Sequence, residues 1–70
     1  MPVRAEELGH LKEMLIKMAG LVELSIKNSV RSLTERDSEL ARKVIEDDHI
    51  VNTYDVKIDE ECIRLLALKQ

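Results

Sequence analysis

The 70-residue sequence predicts an all-α protein, an antiparallel helical hairpin that dimerises into a four-helix bundle. Three observations predict it. Helical periodicity runs from about residue 4 to about residue 68, with no strand-like alternation. The single proline, Pro2, precedes the periodic part, and Gly9 and Gly20 stand alone without turn residues beside them. Each half of the chain also carries more apolar surface than one neighbouring helix covers. A chain this short holds at most one small domain, here taken as residues 1–70. Its only aromatic residue is Tyr54, and its one cysteine, Cys62, has no partner for an internal disulfide. Small scaffolds of this kind need a metal, a partner chain or a further segment to complete the core.

The first helix is expected over about residues 4–34. Its apolar positions are Leu8, Leu11, Leu15, Ala19, Val22, Ile26, Val30 and Leu33. That spacing is an eleven-residue repeat, so the stripe runs nearly straight along the helix. Met14, Met18 and Leu21 add a second strip beside it, read as core filler. The combined arc spans about half the circumference and calls for two neighbours. Ser25, Ser29 and Ser32 replace large residues on the apolar side and allow close helix approach.

The turn is expected at about residues 35–37, in the sequence Thr34-Glu35-Arg36-Asp37-Ser38. Asp37 suits an N-cap, and Glu39 sits where the helix dipole favours an acid. The rival is one uninterrupted helix, because the apolar phase carries through Leu33, Asp37 and Leu40 and no glycine or proline forces a break.

The second helix is expected over about residues 38–68, with a stripe of Leu40, Val44, Asp47, Val51, Asp55, Ile58, Cys62 and Leu65. Each helix is then about 30 residues, or ~45 Å, long. Cys62 in this stripe reads as a buried, inert thiol, and Tyr54 as an edge residue whose hydroxyl reaches water.

Charge is uneven along the chain. Residues 1–45 hold eight Lys/Arg and seven Asp/Glu, whereas residues 46–61 hold one Lys and seven Asp/Glu. Such an acidic block repels nucleic acid and attracts cations or basic partners. No apolar run approaches the length of a membrane span, and the N-terminus lacks the apolar core of a signal peptide, so a cytoplasmic protein is expected. No nucleophile–base pair or Gly-rich phosphate loop suggests an enzyme.

The residues that carry candidate chemistry are acids. Asp48, Asn52, Asp55 and Asp59 follow at steps of 4, 3 and 4 and form a polar strip along one edge of the stripe. Asp47 lies nearer its middle. Carboxylates one turn apart repel each other, and a hard cation removes that penalty. Glu23 borders the stripe of the first helix and is the facing candidate ligand. The other reading is a solvated edge, or pairing across the hairpin with Lys12, Lys27 and Arg31. His10 and His49 are isolated and read as exposed.

The segments Met18-Ala-Gly-Leu-Val-Glu23, Glu35-Arg-Asp37 with Glu39-Leu-Ala41, Val44-Ile-Glu-Asp-Asp48 and Ile58-Asp-Glu-Glu-Cys-Ile-Arg-Leu-Leu-Ala67 resemble, in order and spacing, the PhoU family of helical regulators of bacterial phosphate transport. The resemblance runs from Leu8 to Gln70. It implies a fold of antiparallel three-helix repeats, of which this chain would hold the first two helices of one repeat. It also implies a metal-binding motif of Glu or Asp, three residues, then Asp. The matching positions are Asp48 and Asn52, where an amide replaces the expected acid, and Asp55-Val-Lys-Ile-Asp59 fits it as well. Iron or another divalent cation (Mg, Mn or Zn) is the implied cofactor. The implied partners are a phosphate ABC transporter and its sensor kinase, contacted by a homodimer or higher oligomer without enzymatic activity.

Overall fold

The computed structural model describes residues 4–69, so the expected place of Pro2 ahead of the first helix lies outside the described residues. Two helices, α1 (Ala5–Thr34) and α2 (Ser38–Lys69), run antiparallel as a hairpin about 53 × 16 × 12 Å in extent. Among the described residues there is no strand. The bounds match the sequence expectation to within a residue or so at each end.

Arg4 enters α1 in extended conformation and offers no side-chain cap, but Glu6 and Glu7 place negative charge in the first turn. The other end of α1 is closed by the backbone. The amide of Asp37 donates to the Ser32 carbonyl at 2.9 Å and that of Arg36 to the Leu33 carbonyl at 3.4 Å. Arg36 takes a positive φ of 51°. Together these make a Schellman motif, with an arginine in the left-handed position that usually belongs to glycine. Asp37 then starts α2, its Oδ1 accepting the Leu40 amide at 3.0 Å. These bonds rule in favour of the hairpin over the uninterrupted helix. The signal that was absent from the sequence, a glycine, is absent because Arg36 bears the strain instead.

The Schellman bond also brings α2 back along the side of α1 that carries Ser32. That side continues through Asn28, Ser25, Leu21, Met18, Met14 and Leu11, all buried or half-buried. Their alternating steps of four and three make the heptad seam that two helices share. Against it lie Leu40, Val44, Val51, Tyr54, Ile58, Cys62, Leu65 and Leu68. The strip of methionines expected as an accessory is thus the seam itself. The expected main stripe faces outward instead: Leu8 is 53% exposed, Ile26 61% and Leu33 79%. Only Leu11 belongs to both. On α2, Asp47 and Asp55 leave the seam to Tyr54 and are exposed.

The two ends of the hairpin are packed differently. Near the turn the seam is made of serines, whose hydroxyls are satisfied by their own helix. Ser32 Oγ donates to the Ser29 carbonyl and Ser29 Oγ to that of Ser25, each at 2.7 Å. Ser32 is therefore buried without an orphaned polar group. Far from the turn the buried apolar side chains are Met14, Ile58 and Leu65. Three such residues make a small core for a chain of this length.

Replacing Arg36 with glycine is expected to stabilise the hairpin by about 0.5–1 kcal/mol, because relief of the left-handed strain outweighs the added backbone entropy. Asp37→Ala is expected to destabilise it by about 1 kcal/mol through loss of the cap. Thermal unfolding followed by circular dichroism checks both, with melting shifts of several degrees in opposite directions.

Candidate functional site

The acidic row is built by helical repetition alone. At about 100° per residue, Asp48, Asn52, Asp55 and Asp59 fall along one flank of α2, and all four are exposed. Because the helices are antiparallel, their senses of rotation are opposed, and this flank faces the same way as the outward strip of α1. One broad face of the hairpin therefore carries Leu8, Leu15, Val22, Ile26 and Leu33 on α1 beside Asp48, Asp55 and Asp59 on α2. Glu23 is also exposed, at the outer edge of α1.

The opposite face is where the two helices form grooves. Close to the turn, Leu21, Leu24, Ser25 and Asn28 line a shallow groove with Lys43, Val44, Asp47, Ile50 and Val51. Asp47, which intrudes on the expected stripe, is thus placed at a groove edge with Lys43 and open to water. Further along, His10, Glu13, Met14 and Lys17 meet Tyr54 and Lys57. At the open end Arg64 joins the helices. Its Nε donates to Glu61 Oε2 at 3.2 Å, and its Nη2 lies 3.8 Å from Glu7 Oε2. That Glu7 oxygen is buried and has no hydrogen-bond partner, so its contact with Arg64 is one of charge and not of hydrogen bonding. Hydrogen bonding to Arg64 is the main cause that holds the Glu61 carboxyl below the ordinary range; burial opposes it, and the charges of Arg64 and His10 add to it. The same bond raises Arg64, and Glu35 raises Arg31 likewise.

These are the ion pairs among the described residues, together with Arg31–Glu35 within the α1 end. Lys12 and Lys27 make none, so the expected pairing of the acidic row across the hairpin does not occur, and the row is a solvated edge of this hairpin. The Arg64 cluster was readable in part, since Glu61 and Arg64 stand three apart on one helix. Its link to Glu7 needed the hairpin register. His49 is exposed, its Nδ1 against the Glu46 carbonyl, and His10 is exposed as expected. Cys62 is a free thiol and only half-buried.

A metal needs several oxygen donors around one point. Among the described residues no three His, Cys, Asp or Glu side chains are grouped to hold one. A row along a single helix spreads its donors instead of converging them, and Glu23 does not complete it. One hairpin alone therefore does not fit the cation that the motif implies. No described helix is long and apolar enough to cross a membrane.

Residues 15–70 match the family model described as PhoU domain. The chain is 41% identical over 64 residues to the phosphate-specific transport system accessory protein PhoU of Serratia marcescens, covering 91% of this chain and 26% of that protein. It is 38% identical to the protein of the same name from Escherichia coli K12, covering 91% and 27%. With a PhoU homolog of Pseudomonas putida it shares 44% identity, covering 91% and 25%. The chain thus spans about a quarter of the length of the curated relatives it matches. No solved structure matches.

The Glu61–Arg64 bond sets an acid-side dependence. A carboxyl lowered in the folded state adds stability above its unfolded pKa and loses it as pH falls through the folded pKa. Glu61→Gln is expected to flatten the loss of helicity on acidification, with no change in the neutral plateau beyond the loss of the bond itself. A pH series of melting curves for both proteins measures the difference.

Proposed function

The chain belongs to the PhoU family, and from that premise we propose that it is a non-enzymatic regulator of phosphate uptake and of phosphate-starvation signalling, acting in the cytoplasm through protein contacts. The observation that carries this reading is the alignment of nearly the whole chain with proteins named as accessories of the phosphate-specific transport system. The surface supports it. The structure offers shallow grooves and a broad apolar-and-acidic face, which suit a docking module better than a substrate pocket. Its partners in this reading are a phosphate ABC transporter and the associated sensor kinase. No step of the reading runs through a metal, because one hairpin alone does not gather the donors.

Disrupting the gene is expected to switch on a phosphate-starvation reporter in phosphate-rich medium, and restoring it to switch the reporter off. A reporter that stays silent in the disrupted strain overturns the reading and leaves a structural hairpin without a phosphate role.

A further inference from the structure

One carboxylate oxygen at the open end of the rod is left without a donor. Glu7 Oε2 is buried and accepts no hydrogen bond. Arg64 Nη2 stands 3.8 Å from it, too far to donate. That nitrogen is committed elsewhere: it bonds to Glu61 Oε1, while Arg64 Nε bonds to Glu61 Oε2. Both oxygens of Glu61 are thus held by a cation of its own helix, and Glu7 across the hairpin goes without. A shift of about 1 Å brings Nη2 within bonding distance of Glu7. A buried acceptor with no donor is costly, so that second arrangement lies close in energy to the first.

His10 stands where it can choose between them. It lines one groove with Lys57, Glu60, Glu61 and Arg64 of α2, and its charge acts on the Glu61 carboxyl. On its own helix Glu6, Glu7 and Glu13 lie within one turn, and Lys17 and Tyr54 line the adjoining groove with it. Acids outnumber cations in this setting. Histidine is the only one of these side chains whose ordinary charge change lies between about pH 8 and 5. We propose that His10 is a proton-operated release for Arg64. On taking a proton from solvent, the imidazolium of His10 donates to Glu61 Oε1 across the hairpin. Arg64 Nη2 leaves that oxygen for Glu7 Oε2, while Nε stays on Glu61 Oε2. Contacts between the helices thereby replace part of a pair within α2, and the orphaned oxygen gains its donor. The direction follows from linkage: contacts that need charged His10 are present at the acid side of its titration and are lost as pH rises through it. The open end therefore tightens on mild acidification, above the range in which carboxylates take up protons. This device stands on the hairpin alone and does not rest on a role in phosphate regulation.

Backbone hydrogen exchange of the 70-residue chain at about pH 8 and about pH 6 tests it, each rate divided by the intrinsic rate at that pH. Protection of the amides of residues 62–68 is expected to rise several-fold at the lower pH, while that of residues near the turn stays level. His10→Gln and Glu7→Gln should each abolish the rise, with helicity at neutral pH checked for both. Arg64→Lys should abolish it as well, because a single ammonium lacks the spread of donors that spans two carboxylates. In the wild type the nitrogen resonance of the Arg64 guanidinium should follow the titration of His10, and in Glu7→Gln it should not. Equal protection at the two pH values overturns the proposal. So does a rise that persists in His10→Gln, or an Arg64 resonance that ignores the titration.

Discussion

The bond from the Asp37 amide to the Ser32 carbonyl, with the left-handed turn at Arg36, decides which side of α1 receives α2. Everything else in the hairpin depends on that choice. Once α2 runs back past Ser32, the serines line the close end of the seam. The methionines line the far end, and Met14, Ile58 and Leu65 supply the burial. Leu8, Leu15, Val22, Ile26 and Leu33 of α1 are turned about a quarter of the way round the helix, away from α2. The acidic flank of α2 is turned toward the same face. A different exit angle at the turn would have buried the other strip and exposed the methionines.

The sequence made the two helices and their ends legible because capping and periodicity are local. Asp37 is a cap whatever the tertiary fold, and no proline interrupts either helix. Choosing between two apolar strips on α1 is not a local matter. Leu8 to Leu33 is the longer and more hydrophobic strip, and hydropathy alone favours it. The deciding factor was a heptad rhythm ending on Ser32, and serine weakens a hydrophobic signal just where the helices approach most closely. The arc itself was informative, since half a circumference of apolar residues cannot be covered by one neighbour.

For the candidate site, spacing placed Asp48, Asn52, Asp55 and Asp59 correctly on one flank, because helix geometry fixes that much. Periodicity could not say whether anything faces them. Convergence of ligands and cross-helix pairing depend on register between helices, and in the single hairpin the row stands as a solvated edge. Lys12 is on the acids' side of the rod but one helix away from them, and Lys27 is turned to the far side of α1. Arg64 illustrates the same limit from the other side: its bond to Glu61 is written in the spacing, whereas its approach to Glu7 follows only from the hairpin.

The half-buried thiol of Cys62 lies at the end of the rod remote from the turn, beside Leu65. Contacts near Arg36 join residues close in the chain and cost little loop entropy to form, whereas those around Leu65 close nearly the whole chain. The hairpin therefore zips from its tip and breathes from its open end. Each such opening parts the helices around Cys62 before it disturbs the serine end. The rate at which a thiol reagent modifies this one side chain is a native-state clock for the fraying of the rod.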